Sequence, residues 1–292
     1  MFPPALKSAE IRLRGSCEQQ RRQGYIRKMI FDTHAHYDDE AFDADREALI
    51  ASLPGHNICA AVQVCASVES LERTPSMVRR WPHLYGAVGV HPDYAGQVTP
   101  EVLERIRELC RGEKIVAVGE IGLDYYWHKE ESEHTVQQQV FRQQLSLARE
   151  AGLPFMVHSR DAAADTLRIV KEFMAGGMPG GIIHCFSYSW EIAREYLNMG
   201  LVLGIGGVVT YKNARKLTEV VEKAPLSALV LETDCPYLSP VPHRGKRNSS
   251  LNLPYVAERI AQIKGVTTEE VISVTEENAM KLLKVNCRAI HA

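Results

Sequence analysis

No run of apolar residues in this chain approaches the ~20 that a bilayer-spanning helix needs. The longest apolar stretches are cut by Gly, Pro or a charge, so a transmembrane helix is not expected. C-x-x-C spacing is also missing. The seven cysteines, Cys17, Cys59, Cys65, Cys110, Cys185, Cys235 and Cys287, are odd in number and scattered, which points to neither a disulfide framework nor a thiolate zinc site. A reducing cytoplasm is the simplest location. The chain has no G-x-x-x-x-G-K-S/T segment, and Gly204-Ile205-Gly206-Gly207 lacks the spacing of a dinucleotide fingerprint, so no nucleotide cofactor is expected. Linker-like composition is absent as well.

The chain does have 292 residues, 45% hydrophobic and 24% charged, enough to bury a large core. Its formal net charge of -2 is unevenly spread. Residues 1–28 carry Lys7, Arg12, Arg14, Arg21, Arg22, Arg27 and Lys28 against Glu10 and Glu18, a charge of +5 that leaves -7 on the remainder. This basic stretch lacks the apolar core of a secretory signal and shows no clean periodicity. It reads as a disordered or over-annotated leader before a start at Met29, the alternative being a basic arm for nucleic acid. The leader reading implies that a chain beginning at Met29 folds and stays active.

From Ile30 onward a short β-rich run, a polar loop and an amphipathic helix recur eight times. The strand candidates are 30–36, 59–66, 84–91, 115–120, 154–158, 181–184, 201–206 and 228–233. Between them, apolar residues recur at three- and four-residue spacing, as in Val102, Leu103, Ile106 and Leu109 or Val140, Phe141, Leu145 and Leu147. Eight βα units in about 260 residues predict an α/β fold, a single (β/α)8 TIM barrel with a parallel eight-stranded core spanning residues 29–292. An open doubly wound sheet is the alternative. Segments 251–264 and 268–284 read as two closing helices.

Chemistry in such a barrel sits where the strands end. Strand 1 ends in Asp32-Thr33-His34-Ala35-His36, strand 4 in Gly119-Glu120, strand 5 in Val157-His158, strand 6 in Ile183-His184 and strand 8 in Glu232-Thr233-Asp234. Alternation along a strand puts His34 and His36 on one face, able to share an ion. With Glu120, His158, His184 and Asp234 they bring four imidazoles and two carboxylates to one mouth. That exceeds the three protein ligands of a catalytic zinc and suits two ions bridged by a carboxylate.

The surrounding residues are less constrained. Asp32 either orients an imidazole or makes a barrel-floor hydrogen bond. His91, in Gly89-Val90-His91-Pro92, either touches substrate or fixes its loop, and Arg160 either pairs with phosphate or forms a surface ion pair. Alternation points Cys185 and Cys235 away from their neighbours, as thiols packed against the outer helices. The loops Tyr125-Tyr126-Trp127-His128-Lys129 and His243-Arg244-Gly245-Lys246-Arg247 would give the rim the basic and aromatic groups a nucleic acid requires.

Phe31-Asp32-Thr33-His34-Ala35-His36, Gly89-Val90-His91-Pro92, Gly119-Glu120-Ile121-Gly122-Leu123-Asp124-Tyr125, His158-Ser159-Arg160, His184-Cys185-Phe186-Ser187 and Glu232-Thr233-Asp234-Cys235-Pro236-Tyr237-Leu238 occur in this order. Together they resemble the motifs of the TatD family, over Ile30 to about Leu283. Tyr188 stands where that family usually has Gly, and residues 1–28 have no counterpart in it. The resemblance implies a metal-dependent deoxyribonuclease, a hydrolase of ester bonds in the wider amidohydrolase-like superfamily. It would act as an exonuclease that cleaves DNA through a two-metal-activated water. His34, His36 and Asp234 would hold one divalent ion and His158 and His184 the other, with Glu120 bridging. Glu120 and Asp234 would be catalytic, and His91 and Arg160 would bind substrate. Zinc, magnesium and manganese all suit these ligands. DNA would be the partner, with a monomer favoured and no membrane. The competing readings are a two-metal hydrolase of a small ester, lactone or amide, and a non-catalytic binding module on a decayed barrel, whose expected sign is loss of a ligand. None of the ligands is missing.

Overall fold

Each apolar run becomes a parallel strand in the computed structural model, which describes residues 29–290. The leader reading of residues 1–28 lies outside the described residues. The strands are β1 (Ile30–Ala35), β2 (Ile58–Val64), β3 (Leu84–Val88), β4 (Ile115–Asp124), β5 (Phe155–Arg160), β6 (Gly181–Ile183), β7 (Val202–Ile205) and β8 (Leu229–Leu231). They pair in sequence order from β1 to β8. The circle closes just past β8, where Ala35 bridges Cys235 and the Thr233 and Asp234 N–H groups donate to the His34 carbonyl. An unbroken sequential order is that of a (β/α)8 barrel; a doubly wound sheet reverses its strand order at a switch point.

The helices that follow the strands are α1 (Arg46–Ser52), α2 (Ser70–Arg80), α3 (Pro100–Leu109), α4 (Glu131–Ala151), α5 (Ala163–Ala175), α6 (Trp190–Asn198), α7 (Arg215–Lys223) and α8 (Leu253–Lys264). A further helix, α9 (Thr268–Leu283), packs on β1 and β8. Local chemistry sets their ends. Glu130 and Glu133 form a reciprocal capping box at the start of α4, and Gly152 closes it in the left-handed conformation. No helix among the described residues is long and apolar enough to cross a membrane.

Burial follows the strand alternation. In β5, Phe155 and Val157 belong to the cluster shared with helix residues such as Ile106, Phe141 and Ile260, while Met156 joins a second cluster with Val62, Val116, Ile182 and Val230. Strands covered on both faces need apolar residues in both registers, and that is why these runs are continuous.

β4 is longer than its sequence suggests. It continues past the polar Glu120 to Asp124, pairing Gly122 with His158 and Asp124 with Arg160. Gly122 permits this: its φ is 147°, and a Cβ there would lie 1.9 Å from the His158 carbonyl oxygen. The close approach of β4 to β5 sets Asp124 beside the His158 ring.

Candidate metal centre

Glu120, buried midway along β4, stands at the middle of the barrel mouth. Its Oε2 faces His34 Nε2 at 3.3 Å and His36 Nε2 at 3.5 Å. Its Oε1 faces His158 Nδ1 at 3.0 Å, His184 Nε2 at 3.7 Å and His91 Nε2 at 3.8 Å. Asp234 Oδ1 lies 3.4 Å from His36 Nε2 and 3.6 Å from His184 Nε2. The six residues expected as ligands therefore converge, with His34 and His36 sharing a face of β1 and their Nε2 atoms 3.1 Å apart.

The imidazoles are held from behind. His36 Nδ1 lies 3.0 Å from the Val64 carbonyl oxygen and His184 Nδ1 lies 3.1 Å from Glu232 Oε2. Donation from each Nδ1–H directs Nε2 at Glu120 and Asp234, where it offers a lone pair once its proton is displaced. His158 lies with Nε2 at 3.0 Å from Asp124 Oδ2, so Asp124 serves His158 as Glu232 serves His184. Glu232 also accepts from the Cys185 N–H at 2.6 Å. Gly204 leaves the space its carboxylate fills, since a Cβ there would fall 2.1 Å from Oε2. His34 Nδ1 is buried without a hydrogen-bond partner.

Charge in the centre is strongly coupled. Burial disfavours a charged imidazole at His36, His158 and His184, yet the adjacent carboxylates overcome this and hold each up to about 9. Burial and the neighbouring His184 lower His34 to about 4. Burial opposes the charge of Glu120 as well, but the surrounding imidazoles keep it well below the usual carboxylate range. The pocket thus favours positive charge. Imidazole nitrogens and carboxylate oxygens within a few ångströms of one another, backed by acceptors that orient the rings, fit divalent transition metals. Two groups with ligand atoms within 4.8 Å of one another are His34, His36 and Asp234, and His34, Glu120 and His184; a third is His91, Glu120 and His158. At the far end of the barrel Cys59, Glu276 and Cys287 also gather, but Arg288 pairs there with Glu276, with nitrogens 2.9 and 3.1 Å from its oxygens, and supplies the positive charge.

The less constrained residues resolve as follows. His91 Nδ1 accepts from the Asp93 N–H at 3.2 Å, so in the neutral ring Nε2 carries the proton and is a donor towards the mouth. Arg160 lines the mouth cavity and has no ion pair among the described residues. Asp32 does not orient an imidazole. It accepts from the N–H groups of His34 and Thr233 and from the hydroxyls of Thr233 and Ser250, tying β1 to the segment after β8. Cys235 is packed in the core as alternation suggests, but Cys185 lines the cavity instead. Its φ of 45° breaks the extended geometry on which alternation depends. Asp161, Asp234 and Leu238 share this left-handed conformation and also line the mouth or its side pocket, a clustering of strained backbone around one site.

Only part of the rim matches its sequence reading. Tyr125 stacks on His134 and bonds to Asp165, and Arg247 is pinned to Asp45, so neither faces the mouth freely. The residue missed was Asp124; Glu232, expected from the sequence to serve alignment deeper in the barrel, stands behind His184. The signal for Asp124 was a carboxylate four positions from Glu120 on the same strand.

The family model described as "TatD related DNase" matches residues 31–284. The "Uncharacterized metal-dependent hydrolase YabD" of Bacillus subtilis is 45% identical over 88% of this chain and 100% of its own length. The "3'-5' ssDNA/RNA exonuclease TatD" of Cronobacter sakazakii is 32% identical over 88% of this chain and 98% of its own. Among solved structures, the TatD homologue YJJV of Escherichia coli K12 superposes with a TM-score of 0.83 at 28% identity, covering 89% of this chain and 100% of that one.

Proposed function

We propose that this chain, which belongs to the TatD family and so to the metal-dependent hydrolases, cleaves phosphodiester bonds of DNA as an exonuclease. The observation that carries the reading is the position of Glu120, one carboxylate whose two oxygens face two separate sets of imidazoles. Such an arrangement suits two ions, one held by His34, His36 and Asp234 and one by His158 and His184, with Glu120 between them. Divalent ions bound there would supply Lewis acidity at the phosphoryl group and a water of lowered pKa. The protein's own groups supply position and proton handling. Asp234, at the more open edge of the site, orients the attacking water and accepts its proton at a carboxylate oxygen. His91 Nε2–H and the Arg160 guanidinium hold the phosphate oxygens. Glu232 and Asp124 keep the His184 and His158 rings in place. The Cronobacter relative, named a 3'-5' ssDNA/RNA exonuclease, supports a nucleic-acid substrate. The hydrolase unit is taken as residues 29–292, with residues 1–28 dispensable.

The test is hydrolysis of single-stranded and duplex DNA by protein stripped with EDTA and reloaded separately with zinc, magnesium or manganese, beside a panel of small esters, lactones and amides. Metal-dependent shortening of DNA is the expected result. Turnover of a small ester or lactone with DNA left intact would move the reading to a small-molecule hydrolase.

Metal uptake carries a proton signature. His36, His158 and His184 are held up to about 9 without an ion, so at neutral pH they bear protons that ligation must expel. Raising the pH towards 9 removes these protons, and apparent metal affinity should rise over that range. Calorimetric titration with zinc in buffers of different ionisation enthalpy should show release of one or more protons per chain. Heats independent of the buffer would contradict the ligand assignment.

A further inference from the structure

Beyond the metal centre, the mouth cavity of ≈ 910 Å³ adjoins a side pocket of ≈ 520 Å³, and Arg160 and Ser187 line both. Tyr126, Tyr188 and Lys216 complete much of the side pocket's wall. Tyr126, on the side pocket, is 42% exposed and Trp127, on the mouth cavity, is 65% exposed, with their ring centroids 4.7 Å apart in a T-shaped pair. The Arg160 guanidinium lies 3.9 Å from the Tyr126 ring centroid and 5.4 Å from that of Trp127. Lys129 Nζ lies 5.2 Å from the Tyr126 centroid. Two large exposed rings at a cavity edge cost exposed apolar surface that folding alone does not require.

The shelf is fixed relative to the metal centre. Asp124 Oδ1 accepts from the Tyr126 and Trp127 N–H groups at 2.9 and 3.0 Å, while its Oδ2 holds His158. His128 bridges Asp93 and Glu133 and anchors the same loop.

Charge divides the mouth into unlike parts. Arg160 and Lys216 have no ion-pair partner among the described residues, and Asp161 is the one acid lining the side pocket. Asp38, Asp39 and Glu40 line another part of the mouth, with Arg73 a cation there, while Asp93 stands beside the shelf loop, bonded to His128. A polyanion is repelled from the part lined by Asp38, Asp39 and Glu40 and drawn to the shelf.

We propose that Tyr126, Trp127, Arg160 and Lys216 form a stacking and phosphate subsite. It takes the nucleotide adjoining the cleaved linkage of a single-stranded nucleic acid, and the strand leaves the metal centre over the side pocket. This rests on the phosphodiesterase reading above. An unpaired base offers a free π-face to Trp127 and Tyr126, and a duplex hides it. Arg160 and Lys216 then meet the phosphates on either side of that base.

The test uses a short phosphorothioate-linked oligothymidylate for binding, with unmodified oligothymidylate and bis(p-nitrophenyl) phosphate as substrates. Trp127→Ala should raise the oligonucleotide Kd by about tenfold, the scale of one lost base–aromatic stack. It should also lower the ratio of kcat/KM for oligothymidylate to that for bis(p-nitrophenyl) phosphate to a similar extent, and Trp127→Phe should restore most of both. Independently, Lys216→Ala should reduce the slope of log affinity against log salt by about 0.7, one phosphate contact on a single strand. A Trp127→Ala Kd within twofold of the parent, or an unchanged salt slope in Lys216→Ala, overturns the subsite while leaving the phosphodiesterase reading in place. A parent protein that hydrolyses neither substrate overturns that reading itself.

Discussion

Under the proposed function, Glu120→Gln should leave a folded barrel that hydrolyses DNA on the order of a thousandfold more slowly than the parent, the scale of removing a preorganised electrostatic group from a reacting centre. Gln keeps the shape of Glu and one acceptor oxygen but removes the charge. That charge is what His34 and His36 meet on one side and His158, His184 and His91 on the other. Bound metal should fall towards one ion per chain or fewer, read by elemental analysis of protein reloaded after EDTA. The melting temperature of the metal-free protein should change little. A Gln variant with full metal content and unimpaired turnover would remove Glu120 from its bridging position.

Asp234→Asn and Glu232→Gln should differ in a fixed order. The two carboxylates are two residues apart, yet they do different things. Asp234 faces His36 and His184 from the cavity side, and although burial opposes its charge, those imidazoles hold its carboxyl below the usual range. It is ionised at neutral pH and available to water. Glu232 is fully buried and spends both oxygens on His184 Nδ1 and the Cys185 N–H. Asp234→Asn loses a ligand and the water-orienting carboxylate together, and hydrolysis should drop on the order of a thousandfold. Glu232→Gln loses only the acceptor behind one ligand and should cost about ten- to a hundredfold in metal affinity or activity. Steady-state kinetics and metal content on both variants give the order. If Glu232→Gln loses the metal while Asp234→Asn keeps metal and activity, the roles along the end of β8 must be exchanged.

Particular residues show what could be read before folding was considered. The continuous runs of β5 and β8 are apolar in both registers because both strand faces are covered. Their polar terminations at His158 and Glu232-Thr233-Asp234 marked the mouth. His34 and His36 converge because a strand repeats every two residues, a property of the backbone alone. Asp124 escaped notice because a polar Glu120 inside a strand looks like the strand's end, and only the contact of Gly122 with β5 explains why β4 runs on. Cys185 was placed outward on a periodicity that its left-handed backbone does not obey. Arg247 seemed a rim cation until the fold set Asp45, some two hundred residues away in sequence, against it.

The sequence by itself determined the eight βα units, the strand or strand end at which each metal-binding candidate sits and the chemical character of the ligand set, because these follow from local periodicity and residue type. The tertiary structure alone decided which oxygen of Glu120 faces which imidazole, that Asp124 and Glu232 stand behind His158 and His184, and that Arg160, Lys216 and the exposed Tyr126 ring line one side pocket of the mouth. Those relations join strands that are distant along the chain. They exist only once closure of β8 onto β1 fixes the barrel's circumference and, with it, the distance between every pair of strand ends.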